Sequence, residues 1–144
     1  MKKFLYTCCL FLGGLLGAQA QTLPASDTLY QALGQKAGIT ALMDEFVGRV
    51  LQDVRIKHHF KDTNAQTLKA SLSDQFCQLS GGPCKYEGAD MKSAHADMGI
   101  RKHEFHALVE DLQAAMDARG IPYAQQNRLL ALLAPMHRDV ITEH

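Results

Sequence analysis

Residues 79–100 read LSGGPCKYEGADMKSAHADMGI, and the reading of their one histidine decides the fold. Met91, Ala94, His95 and Met98 stand at i, i+3, i+4 and i+7, the spacing of one helix face. An imidazole in such a stripe is ordinarily a core residue hydrogen-bonded to backbone; the sharper alternative is a metal ligand. Upstream, Gly81-Gly82-Pro83 is a helix breaker, and 83–90 reads as an ordered loop without helical pattern. Gly99 is expected to end the His95 helix.

Outward from this stretch, apolar residues recur at helical spacing and strand alternation is missing. A short helix is expected over Leu29–Leu33, ending near Gly34. Ile39, Leu42, Met43, Phe46, Val50 and Leu51 form a strong stripe, followed by a corner over 53–60. Asp62-Thr63-Asn64 offers an N-cap for a helix that buries Leu68, Leu72, Phe76 and Leu79. Phe105 to Met116 defines a long helix closed by Gly120, and Pro122 opens a last helix carrying Leu129, Leu130, Leu133, Met136, Val140 and Ile141. The class is all-α, with neither internal repeats nor low-complexity segments.

The first twenty residues, MKKFLYTCCLFLGGLLGAQA, have the anatomy of a secretory signal peptide. Two lysines precede an apolar run too short to span a membrane, and Ala18-Gln19-Ala20 is a small-x-small cleavage site. Cys8 and Cys9 sit ahead of much of that run, after a poor Thr7, which argues against lipidation. The expected layout is a signal peptide over 1–20, a polar lead-in over 21–28 and one domain over 29–144, exported to the periplasm or beyond with no stable membrane anchor after cleavage. Cleavage removes two of the 15 basic residues and none of the 15 acidic ones, leaving a net charge of −2. That balance gives no electrostatic case for nucleic acid or an anionic membrane.

Cys77 and Cys84 are then the remaining cysteines. In an oxidising compartment they either pair or stay as free thiols, and the spacing leaves both open. Closure of so short a loop would stabilise by roughly 2.5 kcal/mol in the chain-entropy picture.

Most catalytic constellations are absent. Gly-x-Ser-x-Gly, a Gly-rich phosphate loop after a strand, His-x-x-x-His and zinc-spaced Cys/His clusters do not occur. Cys-x-x-Cys-His is missing, so c-type haem attachment is not indicated. His103 and His106 read as solvated, His137 and His144 as cations near the last turns of the final helix, and His58-His59 as a corner pair with one ring in and one out. His95 remains. Phe46, Phe60, Leu68, Leu72, Phe76, Met98, Phe105 and Val109 are placed to line an apolar cavity, and an imidazole reaching into one holds haem iron from one side.

With LYQALG (29–34), DEFVGRVLQD (44–53), RIKHHF (55–60) and HEFHALVEDL (103–112) added in order, the chain resembles a group I truncated haemoglobin from about Leu29 to Ile141. The resemblance implies a two-over-two helical sandwich enclosing haem b, with the iron on His95. It implies that Phe46 and Phe60 pack on the porphyrin, that Tyr86, Met91, Ile100 and Phe105 support it from the proximal side, and that Asn64 and Lys92 lie near the propionates. On the distal side the matching positions are Val47, Leu68 and Leu72, all apolar where many relatives carry tyrosine or glutamine. Loose O2 binding, with little discrimination against CO, is the expected consequence, since a hydrogen bond to a partly charged acceptor is worth about 1.5–3 kcal/mol. Ser71, beside Leu72, is one residue that could turn inward on that side; a corner histidine, His58 or His59, is the one route to a second axial imidazole, and five-coordinate or water-ligated iron is expected.

The resemblance thus implies reversible binding of O2, NO and CO, and oxygen transport. NO dioxygenation to nitrate is the enzymatic alternative; it needs a reductase, and the chain carries no flavin or nicotinamide motif. Gas sensing would need an output domain. A secreted helical module that binds a protein and no haem is the competitor from a different class.

Overall fold

The computed structural model describes residues 25–143. The signal-peptide expectation for 1–20 falls outside them. Helix α2 (Gln35–Val50) organises the molecule. Ile39, Leu42, Met43, Phe46, Val47 and Val50 recur on its inner side and are buried. It packs against α3 (Ala65–Leu79) on one side and α5 (Lys102–Ala118) on the other, and α1 (Ala25–Ala32) lies against both α2 and α6 (Tyr123–Leu133). Leu29, Leu33, Phe76, Leu112, Met116 and Leu129 complete the core. Gly34, with φ of 81°, supplies the left-handed turn between α1 and α2. Among the described residues there is no strand, and no helix is long and apolar enough to cross a membrane.

The first helix begins at Ala25 rather than Leu29, so the last four residues of the expected lead-in are helical. Helix α3 starts at the expected cap: Asn64 Oδ1 accepts the Thr67 N–H at 2.9 Å. Its core side differs from expectation. Ser73, Gln75, Phe76 and Cys77 are buried, while Leu68, Leu72 and Leu79 are half-buried. The leucines face a cavity instead of the core (Leu79 excepted), and that is why they keep exposure.

Beyond α3, Cys77 and Cys84 are joined in a disulfide with Cα atoms 5.7 Å apart. The turn between them explains its glycines. A Cβ on Gly82 would lie 2.6 Å from the Tyr30 ring and 2.7 Å from Cys77 Sγ. Backbone is the thickest thing that fits there, and Tyr30 N donates to Ser80 O at 3.1 Å across the same seam.

The His95 helix, α4, spans only Met91–His95. It is capped by Asp90, whose carboxylate accepts the Ser93 N–H at 2.9 Å and the Ser93 hydroxyl at 2.7 Å. Those hydrogen bonds hold the Asp90 carboxyl below its usual range. The helix stops at Ala96, where the backbone turns extended, and Asp97 takes φ of 62° two residues before Gly99. Met98 is therefore not on the helix face that its spacing suggested.

The final helix is also broken. Pro135 has no N–H to give, so α6 stops at Leu133, a 3-10 turn covers Ala134–Met136, and α7 is His137–Val140. The chain end then clamps the entry to α5: Thr142 N and Glu143 N both donate to Ile100 O, and Ile100 N donates to Thr142 Oγ1 at 2.8 Å. Helix α7 packs against α4 and thereby fixes the His95 segment.

Candidate functional site

A cavity of about 830 Å³ opens beside α3 and α4, a size within the range of about 300–1,000 Å³ usual for cofactor sites. Helix α3 gives it Leu68, Ser71, Leu72, Gln75 and Phe76; α2 gives Phe46; the corner gives His59, Phe60 and Thr63. Tyr86, Met91, Ala94, His95 and Met98 form the wall that includes α4. Helix α5 adds Phe105, Leu108, Val109 and Leu112, and the chain beyond it adds Leu130, Leu133, Met136, His137, Val140 and Ile141. The wall is mainly carbon.

His95 is the residue whose chemistry stands out. Its Nδ1 lies 2.7 Å from Met91 O, one turn earlier. A carbonyl oxygen only accepts, so Nδ1 carries a proton, and in the neutral ring the lone pair is then on Nε2. That is the tautomer a metal requires, and the backbone bond fixes the ring's direction. The loop ahead of α4 is braced to hold it. Tyr86 donates its hydroxyl to Ala89 O at 2.8 Å and its N–H to Gln78 Oε1 at 2.7 Å. Gly88 leaves room for that ring, since a Cβ there would lie 2.4 Å from the Tyr86 hydroxyl.

Of the residues singled out from the sequence, Phe46, Phe60, Leu68, Leu72, Phe76, Tyr86, Met91, His95, Met98 and Phe105 share this wall. Four lie off it. Val47 is buried in the α2 interior, about a hundred degrees around the helix from Phe46. Asn64 spends its side chain on the α3 cap, Lys92 is exposed, and Ile100 is buried under the chain end.

Leu68 and Leu72 lie on the α3 wall, which is not wholly apolar. Ser71 and Gln75 line it, and Gln75 is buried with its Nε2 3.6 Å from Met91 Sδ. The signal was present: Leu68, Leu72 and Gln75 run i, i+4, i+7. His59, Thr63, Lys102, His106 and His137 also reach the cavity. In the sequence His59 reads as a corner residue, His106 as solvated and His137 as a helix-end cation, but no periodicity brings any of the five to this cavity.

Residues 28–142 match the bacterial-like globin family. The chain is 35% identical to the group 1 truncated haemoglobin of Synechocystis over 122 residues, which cover 81% of this chain and 98% of the relative. It is 32% identical over 119 residues to that of Mycolicibacterium paratuberculosis, covering 83% and 86%. The chain belongs to the group 1 truncated haemoglobins. Among solved structures, the truncated haemoglobin of Tetrahymena pyriformis in its Fe(III) form superposes with a TM-score of 0.75 at 30% identity, covering 78% of this chain and 97% of that one. The Synechococcus 2/2 haemoglobin, in the cyanomet state with covalently attached haem, gives 0.75 at 24% identity, covering 80% and 98%. The arrangement described above is thus the two-over-two sandwich of truncated haemoglobins, with α3, α4 and α5 enclosing the cavity.

Proposed function

We propose that this truncated haemoglobin holds haem b in the 830 Å³ cavity through His95 and binds diatomic gases there, O2 foremost. The observation that carries the reading is the His95–Met91 hydrogen bond: it commits Nδ1 to the backbone and leaves Nε2 as the atom offered to a metal at the wall of an apolar cavity. Haem iron supplies reversible coordination of O2, CO and NO. The chain's own residues do the rest. Phe46, Phe60, Phe76 and Phe105 exclude water and offer flat apolar surface, while Lys102, His106 and His137 put cationic or polar groups at the cavity, suited to carboxylates.

O2 is held loosely in this reading. Leu68 and Leu72 donate nothing, and the buried Gln75 amide turns its N–H to Met91 sulfur. Such a globin releases O2 readily, which suits delivery better than storage. The expected site of action is outside the cytoplasm. The signal-peptide pattern of residues 1–20 supports that, and the Cys77–Cys84 disulfide is of the kind that persists in oxidising compartments.

Haem reconstitution tests the core of the reading. Wild type should take up one haem per chain with a sharp Soret band, and His95→Ala should lose the spectrum of axial imidazole. Identical spectra would refute His95 as the ligand, and no uptake by wild type would refute the haem reading. Sequencing the N-terminus of protein recovered from whole cells tests export; a start at Gln21 is expected, and an intact Met1 counts against it.

A further inference from the structure

At the corner that carries Phe60 lies a cluster the gas-binding reading does not use, although its His59 also touches the cavity. His58 and His59 sit on a 3-10 turn, Lys57–Phe60, and Glu104 sits in the first turn of α5. Both imidazole Nε2 atoms lie 3.1 Å from the same carboxylate oxygen, Glu104 Oε1. Among the described residues, this is the group whose ligand atoms all fall within 4.8 Å of one another. We propose that His58 Nε2, His59 Nε2 and Glu104 Oε1 form a binding site for a divalent transition-metal ion of nitrogen–oxygen preference, of which Zn2+ is the type.

Three observations carry this. The first is spacing. Bond lengths of 2.0–2.1 Å at a tetrahedral ion put neighbouring ligand atoms about 3.3 Å apart, close to the 3.1 Å seen here. The second is an orphaned atom. His59 Nε2 is buried and has no hydrogen-bond partner although Glu104 Oε1 is at 3.1 Å, so the ring does not aim an N–H at that oxygen. A buried nitrogen left unpaired beside a carboxylate is costly unless something else takes its lone pair. The third is a division of labour within Glu104. Its Oε2 accepts the Arg101 N–H at 2.8 Å, which fixes the carboxylate and leaves Oε1 to the two rings.

An ion pair alone explains the cluster poorly. The His58 and His59 rings are 4.1 Å apart and both crowd the same Oε1 at 3.1 Å, so two imidazolium charges there would repel. A single cation satisfies all three groups at once. His58 keeps 47% of its side chain exposed, which gives an ion its entry and leaves water to complete the coordination, while His59 and Glu104 at 11% and 9% form the buried half. Two imidazoles and one carboxylate select zinc, copper or nickel over magnesium and calcium. Occupancy would cross-link the corner, which carries Phe60 of the cavity wall, to the start of α5.

The test is a Zn2+ titration of tag-free, haem-loaded, chelator-washed protein against a chromophoric chelator. One Zn2+ per chain is expected, undisturbed by a large excess of Mg2+. His58→Ala and Glu104→Gln should each weaken binding about tenfold or more, the scale on which even supporting groups of metal sites act. Glutamine keeps an amide oxygen to accept the Arg101 N–H at the start of α5, so Glu104→Gln is expected to fold; if its metal-free Tm falls, the half-exposed His58→Ala decides alone. Zn2+ at a concentration that just saturates wild type should raise its Tm by more than it raises that of either variant. Absence of saturable binding, or binding unchanged in His58→Ala, would overturn the site. The haem spectrum, read in the same samples, reports separately on His95.

Discussion

His95 donates its Nδ1–H to the carbonyl oxygen of Met91 across 2.7 Å, one turn back on a helix of only five residues. The helix has little stability of its own at that length, so the ring direction depends on the Asp90 cap and on α7 packed behind it. His95→Gly should leave the cavity standing and remove the ligand. Added imidazole is then expected to restore the axial-imidazole spectrum, with apparent affinity set by the free imidazole. A variant spectrum already like wild type, or one that imidazole does not change, would place the ligand elsewhere.

The disulfide gives a prediction on stability. Cys77 and Cys84 are seven apart in sequence, and Cys77 is fully buried against the core. Opening so small a loop releases unfolded-state entropy worth about 2.5 kcal/mol. Cys84→Ser should lower the free energy of unfolding by that order in urea titrations without reductant, and wild type with reductant should fall to the same level. A loss well under 1 kcal/mol would mean that the α3 end and the Tyr30 seam hold the turn without the bond.

How much of this was legible in the sequence follows from how each feature is encoded. Helix α2 repeats its apolar residues at 3.6-residue spacing, and Asn64 announces α3; such local patterns survive without tertiary context. His95 was legible only because the Gly-Gly-Pro turn, Tyr86, Gly88 and Met91 surround it in a fixed order. Met98 falls beyond a helix that ends three residues earlier, because Ala96 turns extended and Asp97 left-handed, a change that apolar spacing does not encode. Gln75 shares the stripe of Leu68 and Leu72, but an apolar periodicity does not mark a polar residue. The His58–His59–Glu104 cluster joins residues some 45 positions apart, and no periodicity relates a corner to the first turn of a distant helix.

Acid titration offers another check, on α5. Asp111 is pushed up from its ordinary value of 3.8, by burial first and then by the charge of Asp53, and its Oδ2 is buried without a hydrogen-bond partner. Asp53 itself is held low by Arg55, which bonds it through Nε and Nη2. Because the native Asp111 binds its proton more tightly than the unfolded chain does, stability falls as pH rises from 3.8 through the raised value, and the loss is complete above it. Asp111→Asn removes this and can donate to Asp53. It should stabilise the protein at pH 7 by about 1 kcal/mol, the scale of one hydrogen bond, with the advantage shrinking toward acid. Urea unfolding of both proteins between about pH 4 and 7 measures it; an advantage that grows in acid would reverse the assignment.

The last prediction concerns the wall opposite His95. Leu72 lines the cavity from α3, one turn after Leu68 and one turn before Phe76, with Ser71 and Gln75 flanking it. Replacing Leu72 by glutamine adds an amide donor of similar length where the chain now offers methyl groups. A hydrogen bond to the partly charged outer atom of bound O2 is worth about 1.5–3 kcal/mol, which corresponds to a release rate slower by about ten- to a hundredfold. CO carries less charge, so its release should change far less, and the ratio of the two rates separates hydrogen bonding from simple crowding. Stopped-flow O2 release and flash photolysis of the CO form measure both. Equal slowing of the two gases would show that glutamine acts by bulk, and unchanged O2 release would show that Ser71 or a rotated Gln75 already supplies the donor.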